Sequence, residues 1–245
     1  MFNFKKLLKL VAIFISFDRF WYCALFRYRV APAIEHIALL RTLDVSFVID
    51  IGANRGQFCL AALQAFPDAR VVCFEPLESA YRVLSKVLYC RDGVTLHNLA
   101  IGNVEAQMVM QISEKEDSSS LLEISDLQNE IFPGTARSDS TTVVVSRLSK
   151  YLADNSLAQD VFIKIDVQGY ELEVLRGAAE VLDRIQYIYV ECSFLELYKN
   201  QAVASDIIDY LANYGFSLGG VYNLCRDKKG VAVQADFLFV NKEIA

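Results

Sequence analysis

The sequence predicts an α/β fold: a mostly parallel sheet of about seven strands with helices on both faces and a helical extension at the N-terminus. Three observations carry this. Short apolar runs alternate with helix-patterned segments through most of the chain, as parallel strands joined by crossover helices do. The first run, Phe47–Ile51, breaks directly into Gly52-Ala53-Asn54-Arg55-Gly56 and then a helical stretch, a strand–turn–helix unit. The 245 residues are 54% hydrophobic and 22% charged, enough apolar mass for one large core.

The extension, residues 1–43, is read apart from a main domain at 44–245. Its first 41 residues carry seven basic and two acidic side chains, a net of +5 that leaves −11 on the rest of a chain with −6 overall. An acidic body argues against nucleic acid as a partner. The longest uncharged run there, Leu10–Phe17, has eight residues, far below the roughly 20 that span a bilayer. The basic start and apolar middle resemble a signal peptide, but FDRFWY follows where a small-x-small cleavage site belongs. Two readings stay open for residues 1–30: a helix packed on the body, or peripheral contact with the inner face of an anionic membrane. The even spread of apolar residues favours the membrane. Pro32 then opens a short helix over Ala33–Leu43.

After the first strand comes a helix at Gln57–Phe66, stopped by Pro67, then strand Arg70–Glu75, helix Ser79–Tyr89 and strand Val94–Asn98. Residues 102–150 interrupt the rhythm as an insertion. Short strands are expected at Gln107–Ile112 and Thr142–Arg147, with a polar binding loop, Ser113–Ser140, between them. Strand Val161–Asp166, a helix from Gly169 to Leu182, strand Gln186–Glu191 and helix Ser205–Tyr214 resume the alternation. Gly215–Tyr222 and Ala235–Val240 close as an antiparallel pair at the sheet's edge. The six cysteines lie far apart, mostly in apolar runs, and the chain has only two histidines. That predicts buried reduced thiols, a cytoplasmic location and no metal site.

Ligands of open α/β sheets bind outside the carboxyl ends of the strands, where the strand order reverses. The five parallel strand ends carry acids or a carboxamide: Asp50, Glu75, His97-Asn98, Asp166 and Glu191 fall at these positions. Buried acids need partners, so packing alone does not explain the set. The turn keeps one of the three glycines of a pyrophosphate fingerprint, because Asn54 and Gln57 replace the others. An acid beside D-x-G-x-N-x-G suits a positively charged ligand such as S-adenosylmethionine. Glu75, 23 positions after Gly52, is placed to accept ribose hydroxyls. Lys164 and Asp166 share a face of their strand; Lys164 reads as a structural ion pair and Asp166 as functional. Asp166, Glu191 and His97 are candidate bases, with none singled out.

VIDIGANRGQF, VVCFEP, LHNLAIGN and above all FIKIDVQGYELEVLRGA resemble the FkbM family of S-adenosylmethionine-dependent methyltransferases, over roughly residues 45–241. The resemblance implies a seven-stranded class I methyltransferase fold (Rossmann-like) and O-methylation of a small-molecule or glycan acceptor. It implies that Asp50, Gly52 and Asn54 hold the methionine end and Glu75 the ribose, with Gly56 and Pro76 also binding the cofactor. Asn98 and Ala100 would lie near the adenine, and Asp166 would face the methionine amino group and the acceptor. Gln168 and Ser149 depart from the family's usual Glu and Asp, both on the acceptor side. The competing expectations are an NAD(P)-dependent oxidoreductase, which the missing glycines oppose, and a non-catalytic protein that only binds S-adenosylmethionine.

Overall fold

The computed structural model describes residue 11 and residues 19–89, 91–152 and 160–244. The chain enters through helix α1 (Arg19–Tyr28), a 3-10 turn at Ile34–His36 and the short helix α2 (Ile37–Leu40). It continues through β1 (Phe47–Ile51), α3 (Gln57–Ala65), β2 (Arg70–Phe74), α4 (Glu78–Leu88) and β3 (Val94–His97). The interrupting stretch holds β4 (Ala100–Ile101), β5 (Ala106–Ser113), α5 (Asp126–Ile131) and β6 (Arg137–Ser146). Then come β7 (Val161–Ile165), α6 (Glu171–Gly177), β8 (Tyr187–Ser193), α7 (Ala204–Ala212), β9 (Phe216–Arg226) and β10 (Ala232–Asn241).

Seven strands form one sheet in the order β3-β2-β1-β7-β8-β10-β9. The first five are parallel, and β10 runs antiparallel to both β8 and β9. The order reverses at β1, whose neighbours are β2 on one side and β7 on the other, so a ligand cleft is expected there. Every residue of β1 and of β7 is buried, as in a strand covered on both faces.

Side-chain parity divides the core between those faces. Ile49, Ile51, Ile163, Ile165 and Val190 meet Val174 and Leu175 of α6 and Ile207 and Leu211 of α7. Val48, Phe162, Tyr189 and Leu238 meet Phe58 and Leu60 of α3 and Leu84 of α4 on the other side. Each fully buried aliphatic or Phe side chain contributes about 1.5–3 kcal/mol relative to exposure.

Residues 19–43 share the second of these cores. Trp21 and Ala24 of α1 are buried against it, and the Trp21 indole donates to the Leu60 carbonyl at 3.1 Å. Phe26, on the other side of α1, is exposed. One side of α1 thus packs on the body. The remainder of the membrane-contact expectation, residues 1–18 apart from Val11, lies outside the described residues. Among the described residues, no helix is long and apolar enough to cross a membrane.

The insertion is more ordered than its composition suggested. β4, β6 and β5 make a second, three-stranded sheet, and β6 begins at Arg137, inside the stretch expected to be loop. The first six residues of β6 are exposed or half-buried, so they lack the apolar signature of a strand. Within the expected loop, Ser125 caps α5 by accepting the Gln128 N–H, and Gln111 bridges Ser120. The five described cysteines are free thiols; Cys59, Cys73 and Cys192 are buried.

Gly177, the last residue of α6, rests against the turn after β4. A Cβ there would collide with the Gly102 carbonyl oxygen, a backbone atom that no rotamer change can move. Gly177→Ala is expected to cost about 2 kcal/mol or more, as over-packing does. It should lower the midpoint of chemical denaturation with an unchanged slope. An unchanged midpoint would mean that helix and turn do not touch so closely.

Candidate active site

The turn after β1 is shaped first by its neighbours in the chain. Gly52 has φ +82°, and a Cβ there would collide with the Asp166 carbonyl oxygen at the end of β7. Glycine is thus required by strand-to-strand packing, where the sequence suggested a ligand's approach. Asn54 follows in the left-handed region, φ +48°, and Gly56, φ +95°, precedes α3. This conformation aims the Asn54 N–H at Glu75 Oε2, 2.8 Å away. The Leu77 N–H donates to Glu75 Oε1, also at 2.8 Å. Each oxygen keeps an unused lone pair, and Glu75 lines the central cavity. Burial pushes its carboxyl up to about 7, against the downward pull of the two N–H donors.

Four carboxylates stand at the centre of the sheet on the face that holds Phe58. Asp50 is wholly buried, with no hydrogen-bond partner for either oxygen. The Lys164 ammonium, from the register partner of Asp50 on β7, lies 3.9 Å from Asp50 Oδ1 and 3.1 Å from Asp166 Oδ2. It also sits 5.7 Å from the centre of the Phe58 ring. Glu191 on β8 is the register partner of Asp236 on β10. Lys164 is thus the structural ion pair its sequence position suggested, and it borders the cavity.

The segment after β7 organises the acids. Gln168, φ +56°, points its amide nitrogen between two of them, 2.7 Å from Asp166 Oδ1 and 2.9 Å from Glu191 Oε2. Its Oε1 accepts the Tyr198 hydroxyl at 2.8 Å, and its backbone carbonyl accepts the Ser120 hydroxyl at 2.6 Å. Glu171 closes the turn by accepting the Gly169 N–H at 2.9 Å. Burial raises Asp166, but the Lys164 ammonium and the donors from Gln168 and Lys164 outweigh it, so its carboxyl sits below the usual range. Glu191 is pushed well above its ordinary value by burial, and Asp166, Asp236 and Glu171 add to the push.

One cavity of about 430 Å³ joins these parts, a size that suits a small-molecule cofactor. Of the residues singled out in the sequence, Gly52, Asn54, Glu75, Pro76, Ala100, Asp166 and Glu191 line it. Asp50 and Gly56 do not: Asp50 lies beneath the floor, and Gly56 packs towards Leu84. Asn98 also stays out, because its amide ties strand ends together through the Glu75 and Pro76 carbonyls, at 2.9 and 3.1 Å. His97 is withdrawn as a base. Its ring stacks on Phe74, 5.0 Å between centres, and tilts against Tyr151, away from the cavity. The insertion contributes Glu116, Asp117, Ser119 and Leu121 to the lining, as a binding loop would. Glu116 is clasped by Arg55, at 2.8 Å, and by the Ser79 hydroxyl, at 2.6 Å.

Sequence reasoning missed His36, Asn223, Gln234 and Asp236, all of which border the cavity. Only Asp236 left a signal, as an acid inside the apolar run Ala235–Val240. Among the described residues, no group of three or more His, Cys, Asp or Glu could hold a metal ion.

The residues fit S-adenosylmethionine. Glu75 offers two oxygens to a ribose diol, and Pro76, Leu77, Leu99, Ala100 and Ile101 give an apolar wall for an adenine ring. The Gly52–Asn54 turn, with the ionised Asp166 near it, would hold the charged methionine end.

The buried acids impose a pH dependence on stability. Burial is the chief cause in each case: Asp50 and Asp236 rise to about 6, and Glu75 and Glu171 to about 7. A folded-state pKa above the unfolded one means that the native state holds more protons between about pH 4 and 7. That stability is present at low pH and is lost as pH rises through 6 and 7. The ligand-free protein should therefore melt several degrees higher at pH 5 than at pH 8, and Asp50→Asn should flatten the profile. A melting point that rises from pH 5 to pH 8 would contradict the assignment.

Comparison with known proteins agrees with the geometry. The family profile described as Methyltransferase FkbM domain matches residues 50–218. The 2-O-methyltransferase NoeI of Sinorhizobium fredii is 29% identical over 189 residues, covering 73% of this chain and 75% of that protein. Methyltransferase 1 of Beauveria bassiana is 27% identical over 161 residues, covering 60% of this chain and 65% of its own length. Among solved structures, TrmK of M. capricolum in complex with S-adenosyl-homocysteine superposes with a TM-score of 0.49 at 6% identity. That overlap covers 84% of this chain and 68% of that one. The oxidoreductase expectation falls, and S-adenosylmethionine is the cofactor. With more than half of the chain matched by the profile, the protein belongs to the FkbM methyltransferase family.

Proposed function

We propose that this methyltransferase acts on oxygen, and that its acceptor is a hydroxyl of a sugar or glycan. One observation carries the reading: Asp166 and Glu191 share the Gln168 amide in the same cavity as Glu75, so a base stands beside the donor cradle. The methyl transfer to oxygen in the name of the similar 2-O-methyltransferase NoeI supports it.

When bound, S-adenosylmethionine supplies a methyl group made electrophilic by its sulfonium. The chain's own task is to hold the acceptor oxygen in line and to take up its proton. A C–O bond forms as the S–C bond breaks, and the hydroxyl proton passes to a carboxylate. The two adjacent acids are pushed in opposite directions, which separates their roles. Asp166, held ionised by Lys164, keeps a negative charge beside the donor's positive end. Glu191, raised by burial, is the better proton acceptor. Both of its oxygens accept amide donors, from Gln168 at 2.9 Å and from Gln234 at 2.6 Å, which fix the orientation of the carboxyl.

Two tests follow from these roles. Glu75→Gln removes one acceptor of the ribose pair and should weaken S-adenosylhomocysteine binding by roughly tenfold to a hundredfold in isothermal titration, since a hydrogen bond to a charged group contributes about 1.5–3 kcal/mol. Unchanged affinity would remove Glu75 from the cradle. Methyl uptake from labelled S-adenosylmethionine into soluble glycosides tests the acceptor side. Wild-type turnover should fall as pH falls through the raised Glu191 pKa, because only the ionised base takes the proton. Glu191→Gln should lose about a hundredfold or more in kcat, within the range for general bases, with cofactor affinity kept. A Glu191→Gln enzyme as fast as wild type would refute the base, and transfer to no hydroxyl would refute O-methylation.

A further inference from the structure

On the β10 side of the sheet the cavity is lined by two segments remote in sequence. The 3-10 turn before β1 supplies His36, and the β9–β10 hairpin supplies Asn223, Gln234 and Asp236. From β2 to β10 the sheet takes four strand steps, about 19 Å at the usual spacing. A donor seated over β2, β1 and β7 therefore leaves the β8–β10–β9 side open.

That side carries two carboxylate–carboxamide pairs on neighbouring strands. Gln234 donates to Glu191 at 2.6 Å, and Asn223 donates to Asp236 at 2.8 Å. Asn223 is aimed by the backbone. Between the register pairs Tyr222–Asp236 and Cys225–Gln234, β9 has two residues where β10 has one, a β-bulge, and Asn223 sits in it at φ +49°. Bulges beside active sites re-aim side chains in this way. The Asn223 amide also reaches the Tyr189 hydroxyl at 3.3 Å, which lies 3.1 Å from His36 Nδ1. Asp236 stands between Ala235 and Phe237 of the core, where an acid carries a desolvation cost and adds no packing. Asn223, Gln234, Asp236 and His36 all fall outside residues 50–218, so they lie beyond what the family profile describes.

We propose that this wall is the acceptor subsite, and that it grips one sugar ring through two neighbouring hydroxyls. A hydroxyl both donates and accepts, and a carboxylate beside a carboxamide offers both complements. The Asp236–Asn223 pair holds the hydroxyl next to the one that reacts at Glu191. The inference rests on the sugar-acceptor reading above and adds the residues that select the acceptor.

The test uses the full chain, labelled S-adenosylmethionine and a panel of neutral nitrophenyl glycosides with their monodeoxy analogues. The variants are Asp236→Asn and Asn223→Gly, the second chosen because glycine keeps the left-handed backbone. Both should raise KM for the best glycoside by tenfold or more, with kcat changed much less. Both should bind S-adenosylhomocysteine within twofold of wild type, which also reports that they are folded. The deoxy analogue lacking the gripped hydroxyl should be poor for wild type and lose nothing further in the variants. Wild-type transfer with unchanged KM in both variants would overturn the subsite and leave the sugar reading standing. No wild-type transfer to any glycoside would overturn both.

Discussion

The site depends on one buried cation. Lys164 stands in a strand whose every residue is buried, and its ammonium lies between Asp50 below the cavity floor and Asp166 at the cavity wall. A lysine in such a place survives only with acids around it, and those acids survive only with the lysine. Removing one partner from a buried pair leaves an uncompensated charge, which is why the three residues act as one unit. Their geometry is fixed by register: Asp50 and Lys164 face each other across the β1–β7 ladder, and the Gly52 turn closes directly on the Asp166 carbonyl.

Around that unit the cavity has two halves of different origin. The donor half comes from consecutive elements, β1, its turn, β2 and the entry to β4. Backbone N–H groups hold Glu75, so local conformation presents the ribose acceptor with no help from remote side chains. The acceptor half is assembled from the segment after β7, the strand β8, the hairpin at the sheet's edge and the turn before β1. Gln168 joins the halves. As a carboxamide it donates to Asp166 and Glu191 together, where a third carboxylate would repel both. Its departure from the family's usual acid therefore has a physical use in this chain.

The main sheet and most of the donor half were legible in the sequence, for a physical reason. Parallel strands buried on both faces read as continuous apolar runs, and an acid inside or ending such a run stands out, as Asp50, Glu75, Asp166 and Glu191 do. Parity explains the errors. His97 pairs with Phe74, which pairs with Ile51, so its ring falls on the apolar face and away from Asp50. Asn98 and Gly56 were taken for ligand contacts because they lie near the right strand ends, yet each meets another part of the chain. The need for glycine at 52 was legible, but its cause was a neighbouring strand. His36 and Asn223 could not be read at all. The first enters through a turn more than a hundred residues from its tyrosine partner, and the second is aimed by a bulge that has no hydrophobic signature.

Lys164 neutralises the acids on which the site is built, and the unfolding free energy of Lys164→Met measures how much depends on it. Methionine keeps the length and loses the charge. At pH 8 the variant should be less stable than wild type by about 3–5 kcal/mol, the usual cost of breaking a buried pair. At pH 5 the difference should be smaller, because Asp50, already raised to about 6 with the lysine present, then takes up a proton, while the pair with Asp166 stays charged. A variant as stable as wild type at pH 8, or equally destabilised at both pH values, would contradict the claim.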